Sequence, residues 1–143
     1  MSANASDLAI ASALRIAVMR LARRLRTERA ETSLTLTQLA ALASLDRHGP
    51  MTPGELAAHE KVQPPSMTRV LGVLGERGLI DRAPHPTDGR QALVEISAEG
   101  RRLVAADRRR RDAWLSQQMH DLSDDELALL RELAPLLDRL ASS

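Results

Sequence analysis

Cysteine is absent from the 143 residues, as are phenylalanine and tyrosine, and Trp114 is the single aromatic residue. Without thiols the chain has no disulfides, no zinc–thiolate site, no thiol nucleophile and no cysteine redox switch. A β-sandwich would need more aromatic and β-branched residues than this. Leucine and alanine instead supply 24 and 22 of the 62 hydrophobic residues, which suits helices packed on helices. Long apolar runs are lacking too. The first helical stretch is interrupted by Arg15 and Arg20, so it cannot span a bilayer, and no export segment stands out. A cytoplasmic protein with no membrane partner is expected. Nor is there a constellation for catalysis. The four histidines are scattered, His59-Glu60 has no second histidine four residues on, and no nucleophile–base pair emerges. An enzyme, a metal centre and a bound cofactor are therefore not expected.

Proline and glycine are plentiful only in the middle. Six of the seven prolines and six of the seven glycines fall between residues 49 and 89, which marks a turn-rich module flanked by long helices. The net charge of +1 hides a strong polarity. Residues 1–29 carry +4 and residues 60–111 another +4, whereas residues 112–143 carry −5. One face suited to phosphates and another suited to something else would produce this distribution.

The central stretch supplies the motifs. Thr52 can cap a short helix opened by Pro53, with Glu55 placed to complete a capping box. The chain turns near residues 60–62, and Pro64-Pro65 restart it without losing an intrahelical bond. Met67, Val70, Leu71 and Leu74 recur at helical spacing and are expected to face the core. Ser66, Thr68 and Arg69 then point elsewhere near the helix start, where a recognition helix meets base edges. Gly78 is expected to end this helix as the residue just past its cap. A strand over residues 79–83 is followed by a partner in which Ala92, Val94 and Ile96 alternate. Between them, Pro84-His85-Pro86-Thr87-Asp88-Gly89-Arg90 cannot continue a buried ladder and must project. An arginine at such a tip suits a narrow minor groove, and Asp88 is placed to hold it.

The flanks are helical. Residues 1–6 are expected to fray, and Ile10, Leu14, Val18, Leu21 and Leu25 line a helix ending near Arg29, with residues 28–33 as linker. Thr35 with Gln38, and Ser123 with Glu126, form further capping boxes. Ser97 caps a helix running to about Met119, in which the tract 108–111 sweeps right round the axis and reads as a salt-bridged surface. Trp114 reads as a core or interface anchor. The last helix carries a leucine stripe, and a kink is expected at Pro135. Gly72 and Gly75 inside a helix suggest close packing.

The order of these pieces (the Pro-Pro-Ser-Met-Thr-Arg helix, the Pro-Thr-Asp-Gly-Arg wing and the Ser-Ala-Glu-Gly-Arg helix start) resembles the MarR family of bacterial transcriptional regulators over essentially the whole chain. The resemblance implies a mainly α fold with a small two-stranded β wing, that is, a winged helix-turn-helix with long N- and C-terminal dimerisation helices. It divides the chain into a dimerisation helix and linker (1–34), a DNA-binding module (35–97) and C-terminal helices completing the dimerisation region (98–143). The implied function is a homodimeric repressor of a palindromic double-stranded DNA operator, relieved by a small aromatic or lipophilic ligand. The missing cysteine separates the chain from the family's peroxide sensors. Ser66, Thr68 and Arg69 look like the base-reading set, with Gln63 and Pro65 beside them, and Arg90 like the wing arginine with Asp88 as companion. Thr52, Lys61, Arg77 and Arg82 flank the module as candidate DNA contacts. Arg15, Met19 and Trp114 are candidates for the ligand pocket. The competing reading is a helical interaction module whose basic face binds an acidic protein.

Overall fold

The computed structural model describes residues 4–29 and 33–143, and the opening residues 1–3 and the linker residues 30–32 lie outside that description. Six helices and one antiparallel hairpin follow in the order α1 (Ala5–Thr27), α2 (Leu36–His48), α3 (Pro53–Glu60), α4 (Pro64–Glu76), β1 (Ile80–Pro84), β2 (Ala92–Ile96), α5 (Ala98–Gln118) and α6 (Asp124–Ala141). A short 3-10 turn at Met119–Asp121 joins the last two helices.

Local chemistry accounts for most of the helix ends. Reciprocal capping boxes form at Thr35/Gln38 and Ser123/Glu126, each satisfying two orphan donors of a first turn. At α3 only the hydroxyl half forms: Thr52 accepts from the Glu55 N–H. Residues 4–6 are not frayed as expected, because the Asn4 side chain accepts from Asp7 N–H and starts α1 at Ala5. The far end of α1 comes at Thr27, short of Arg29. Arg29 instead reaches across the linker to donate to the Leu34 carbonyl at 2.9 Å.

Both helices of the central pair close in the same way. Gly78, at φ 69°, lets Gly78 N–H reach the Gly75 carbonyl and Leu79 N–H reach the Leu74 carbonyl. Leu79 thus belongs to the end of α4, and β1 starts one residue later than its hydrophobicity suggests. Lys61 does the same for α3 at φ 54°, a left-handed position taken without a glycine.

β1 and β2 pair from Ile80↔Ile96 to Pro84↔Ala92. Met51 adds a third rung, exchanging hydrogen bonds of 3.0 and 2.8 Å with Val94 on the open side of β2. The core gathers Leu42 and Leu45 of α2, Leu56 of α3, Met67, Leu71 and Leu74 of α4, Val94 and Ile96 of β2 and Val104 of α5. Val70, expected inside, is half-buried at its edge. Neither α1 nor α6 buries a single residue. They leave Leu8, Ile10, Leu129 and Leu140 between 60% and 64% exposed. α6 continues unbroken through Pro135. None of the described helices is long and apolar enough to cross a membrane.

Candidate nucleic-acid interface

α3 and α4 are joined by the three residues 61–63, so the second helix of the pair starts where the first stops. Leu56 and Ala57 on one side and Met67, Leu71 and Leu74 on the other lock the two together through the core. What remains on the outside of α4 is its N-terminal turn. Pro65, Thr68 and Arg69 are exposed, and Ser66 is half-buried. Gln63 caps the helix with its carbonyl, which accepts from Met67 N–H, and its side chain makes no capping bond.

The side chains of this turn are already oriented. An Nη of Arg69 donates to the Ser66 hydroxyl oxygen at 3.2 Å, holding the guanidinium along the helix face. The Thr68 hydroxyl donates back to the Pro64 carbonyl at 3.0 Å. That bond commits the threonine's proton to its own helix and leaves the methyl as the part free to meet a base.

The loop between β1 and β2 stands away from the core, with residues 86–91 all exposed. Its shape is fixed by two side chains. His85 Nδ1 accepts from the backbone N–H groups of Thr87 and Asp88 at 3.2 and 3.1 Å. The Asp88 carboxylate accepts from the backbone N–H of Arg90 at 3.1 Å. Asp88 therefore positions Arg90 through its main chain, and the Arg90 guanidinium has no ion pair among the described residues. The ordering role of His85 was missed from the sequence, where nothing distinguishes it from any loop histidine.

The flanking candidates separate. Thr52 is only 8% exposed, and its hydroxyl is occupied as the α3 cap, so it faces the protein rather than the outside. Arg77 donates to the Ser33 hydroxyl at 2.6 Å, tying the end of α4 to the linker that precedes α2. Lys61, in the turn, and Arg82, on β1, are both exposed. Gly72 and Gly75 are not close-packed as expected: a Cβ at either would find nothing within 4 Å.

A tight helix pair with an exposed second helix, followed at once by a projecting two-stranded loop, is the winged helix-turn-helix arrangement that places protein side chains on duplex DNA. Comparison with known proteins agrees. The MarR family model matches residues 34–92. A helix-turn-helix-type transcriptional regulator of Mycobacterium leprae is 49% identical over 132 residues, 92% of each chain. The multiple antibiotic resistance protein MarR of Salmonella typhimurium is 34% identical over 101 residues, 70% of each chain. The crystal structure of a transcriptional regulator protein from Pseudomonas aeruginosa PA01 matches with a TM-score of 0.88 at 38% identity, covering 99% of each chain. The chain belongs to the MarR family. It is a DNA-binding transcriptional regulator and not an enzyme.

The candidates for ligand contact do not come together. Arg15 and Met19 are exposed on α1, while Trp114 is half-buried on α5 with the Arg24 guanidinium 5.1 Å from its ring centre. None of the three lines the cleft of about 570 Å³ that opens between α2 and α5. Its margins include Arg26 from α1 and Val62 from the turn after α3. Ion pairs gird it: Arg108 meets Asp46 of α2 at 2.8 Å, and Arg111 meets Asp107 at 3.0 Å. The tract 108–111 is thus divided as expected, two of its arginines fastened and Arg109 and Arg110 exposed to solvent.

Proposed function

We propose that this regulator works as a homodimeric repressor, seated on a palindromic operator in the cytoplasm and released from it by a small molecule. The observation that carries this reading is the pairing of two exposures. The start of α4 and the wing tip are presented together by one rigid core, while α1 and α6 bury no residue fully and leave Leu8, Ile10, Leu129 and Leu140 in the open. Residues 1–34 and 98–143 supply the dimer contact, and residues 35–97 the DNA-binding module. An isologous contact through the terminal helices sets two copies of α4 about 34 Å apart, one helical turn of DNA.

Within each half-site the chemistry divides. Arg69, braced by Ser66, suits the paired acceptors of a guanine, and the outward methyl of Thr68 suits the methyl of a thymine. Gln63 and Pro65 lie on the approach to the same groove. Arg90, with its main chain held by Asp88, suits the adjacent minor groove. Lys61, Arg77 and Arg82 lie where phosphates would pass, and these contacts set register without reading sequence. Thr52 supports α3 from inside. A small amphipathic ligand fits the cleft between α2 and α5, whose volume lies in the usual range for such sites.

The test is selection of bound fragments from genomic DNA, followed by gel shifts of the recovered sequence against competitor. The expected result is one palindromic site bound by two copies of the chain. Equal retention of random duplexes would overturn the sequence-specific reading, and binding of one copy per site would overturn the dimer.

A further inference from the structure

We propose that the cleft between α2 and α5 selects ligands that carry a hydrogen-bond donor on an apolar frame, and that Asp107 is the residue that selects them. This rests on the reading of the cleft as the place where a small ligand acts. Leu36, Leu39, Ala40, Ala43 and Val104 give the cleft an apolar side, and Asp107 lines the same space together with Glu60 and the arginines of its margin. Asp107 is 4% exposed, and its carboxylate is only half satisfied. One oxygen meets Arg111 at 3.0 Å. The other, Oδ1, is buried with no hydrogen-bond partner, and no other described side chain has such an atom.

A carboxylate oxygen stripped of water and given no donor is costly, and a donor placed beside it recovers what burial removed. The ligand class follows. A phenol or an amine brings that donor, an ether or a plain hydrocarbon does not, and a second carboxylate at this depth would face the first. Acidic groups on the ligand have a different place, at the margin, where Arg26 and Arg47 carry no ion pair among the described residues.

The same atoms explain how occupancy is felt elsewhere. Arg111, which pairs with the other oxygen of the aspartate, also donates its Nε to the Leu25 carbonyl in the last turn of α1. Its side chain is 31% exposed and able to swing outward, whereas that of Asp107 is 6% exposed. A donor reaches Oδ1 as Arg111 gives way, and the movement that admits the ligand also lets go of α1. Since α1 belongs to the proposed dimer contact, the spacing of the two recognition helices changes with it.

The experiment measures calorimetric binding of 2-naphthol and 2-methoxynaphthalene, which differ in the donor, to the full chain and two variants. The wild type is expected to bind naphthol about tenfold more tightly than the ether, the difference one good hydrogen bond makes. Asp107→Leu, which leaves no acceptor, is expected to bring the two affinities to within about threefold. Arg111→Gln, which keeps the aspartate and removes its ion pair, is expected to keep the preference, and it reads the proposal should the first variant not fold. Equal affinities in the wild type would overturn the role of Asp107 while leaving the cleft as a ligand site. Failure of both compounds to bind would overturn the cleft itself, and with it the underlying reading.

Discussion

One substitution, glycine to alanine, is expected to have opposite effects at two helical positions, and the structure fixes both signs. Gly100 sits in the first turn of α5, pressed against the end of the helix-turn-helix. A Cβ there would stand 2.3 Å from the Leu79 carbonyl oxygen and 2.7 Å from Ile96 Cγ1. The isoleucine can rotate, but the carbonyl is pinned. It accepts from Ser97 N–H at 3.0 Å, and the N–H of the same residue closes α4 by bonding Leu74. Relief requires α5 to lift off Leu79 at the end of α4. Overpacking of this kind costs about 1–3 kcal/mol, and the strained hydrogen bond adds about 1 more. The higher helix propensity of alanine offsets at most ~1 kcal/mol. Gly100→Ala is therefore expected to destabilise by about 2–3 kcal/mol.

At Gly72 the same methyl meets nothing within 4 Å, and its φ is not left-handed, so only the propensity term remains. Gly72→Ala is expected to stabilise by about 0.5–1 kcal/mol. Urea denaturation at one fixed protein concentration reads both, since a dimer's midpoint moves with concentration. Gly72 also lies one turn after Thr68 on the same stripe of α4. If that stripe approaches DNA, the stabilised variant binds its operator more weakly. Unchanged stability of Gly100→Ala would refute the close approach of α5 to Leu79. A destabilised Gly72→Ala would show that another surface already occupies the space beside α4.

The remaining expectations concern the interface and its supports. Arg69→Ala is expected to cost about 1–3 kcal/mol of operator binding and to relax selection at one base pair; a uniform loss across sequences would make it a phosphate contact. Arg90→Ala is expected to weaken binding and lower the salt slope by about one, and an unchanged slope would remove the wing from the minor groove. Ser97 both caps α5 and donates to the Gly78 carbonyl at 2.6 Å. Ser97→Ala is expected to cost about 1–2 kcal/mol in the urea midpoint, and a neutral result would discount that link. Leu130→Glu with Leu140→Glu is expected to yield monomers in analytical ultracentrifugation without loss of helicity, and a persistent dimer would move the contact elsewhere.

What could be read from the sequence, and what could not, divides along a physical line. Features decided within one turn of chain were legible. Thr35 with Gln38, Gly78 behind α4 and the paired prolines before Ser66 each carry their own geometry, because caps and turns depend on neighbours three or four residues away. So was the projecting wing, since two prolines and Asp-Gly forbid a buried ladder. The family pattern then placed these pieces in order. Features that depend on what a residue meets across the fold were not legible. Lys61 adopts the left-handed turn that composition would give to a glycine, because α3 must end where α4 begins. Met51 looks like a loop residue and becomes a rung beside Val94. Thr52 looks like an exposed contact and is buried by the core behind it.

The arginine tract is the sharpest instance of that division. Helical angles alone show that residues 108–111 cannot form one patch, and this much was visible. Which of the four are fastened is decided largely by partners far away in the chain: Asp46 for Arg108, and Leu25 beside the neighbouring Asp107 for Arg111. Those partners sit where α1, α2 and α5 meet, beside the cleft proposed above as the ligand site. A switch at such a joint needs two discrete arrangements of the groups packed there. The buried aspartate with one idle oxygen, paired with an arginine that also grips α1, is the proposed place for it. No periodicity or spacing along the chain encodes it, since it exists only once three separate helices are brought to one place.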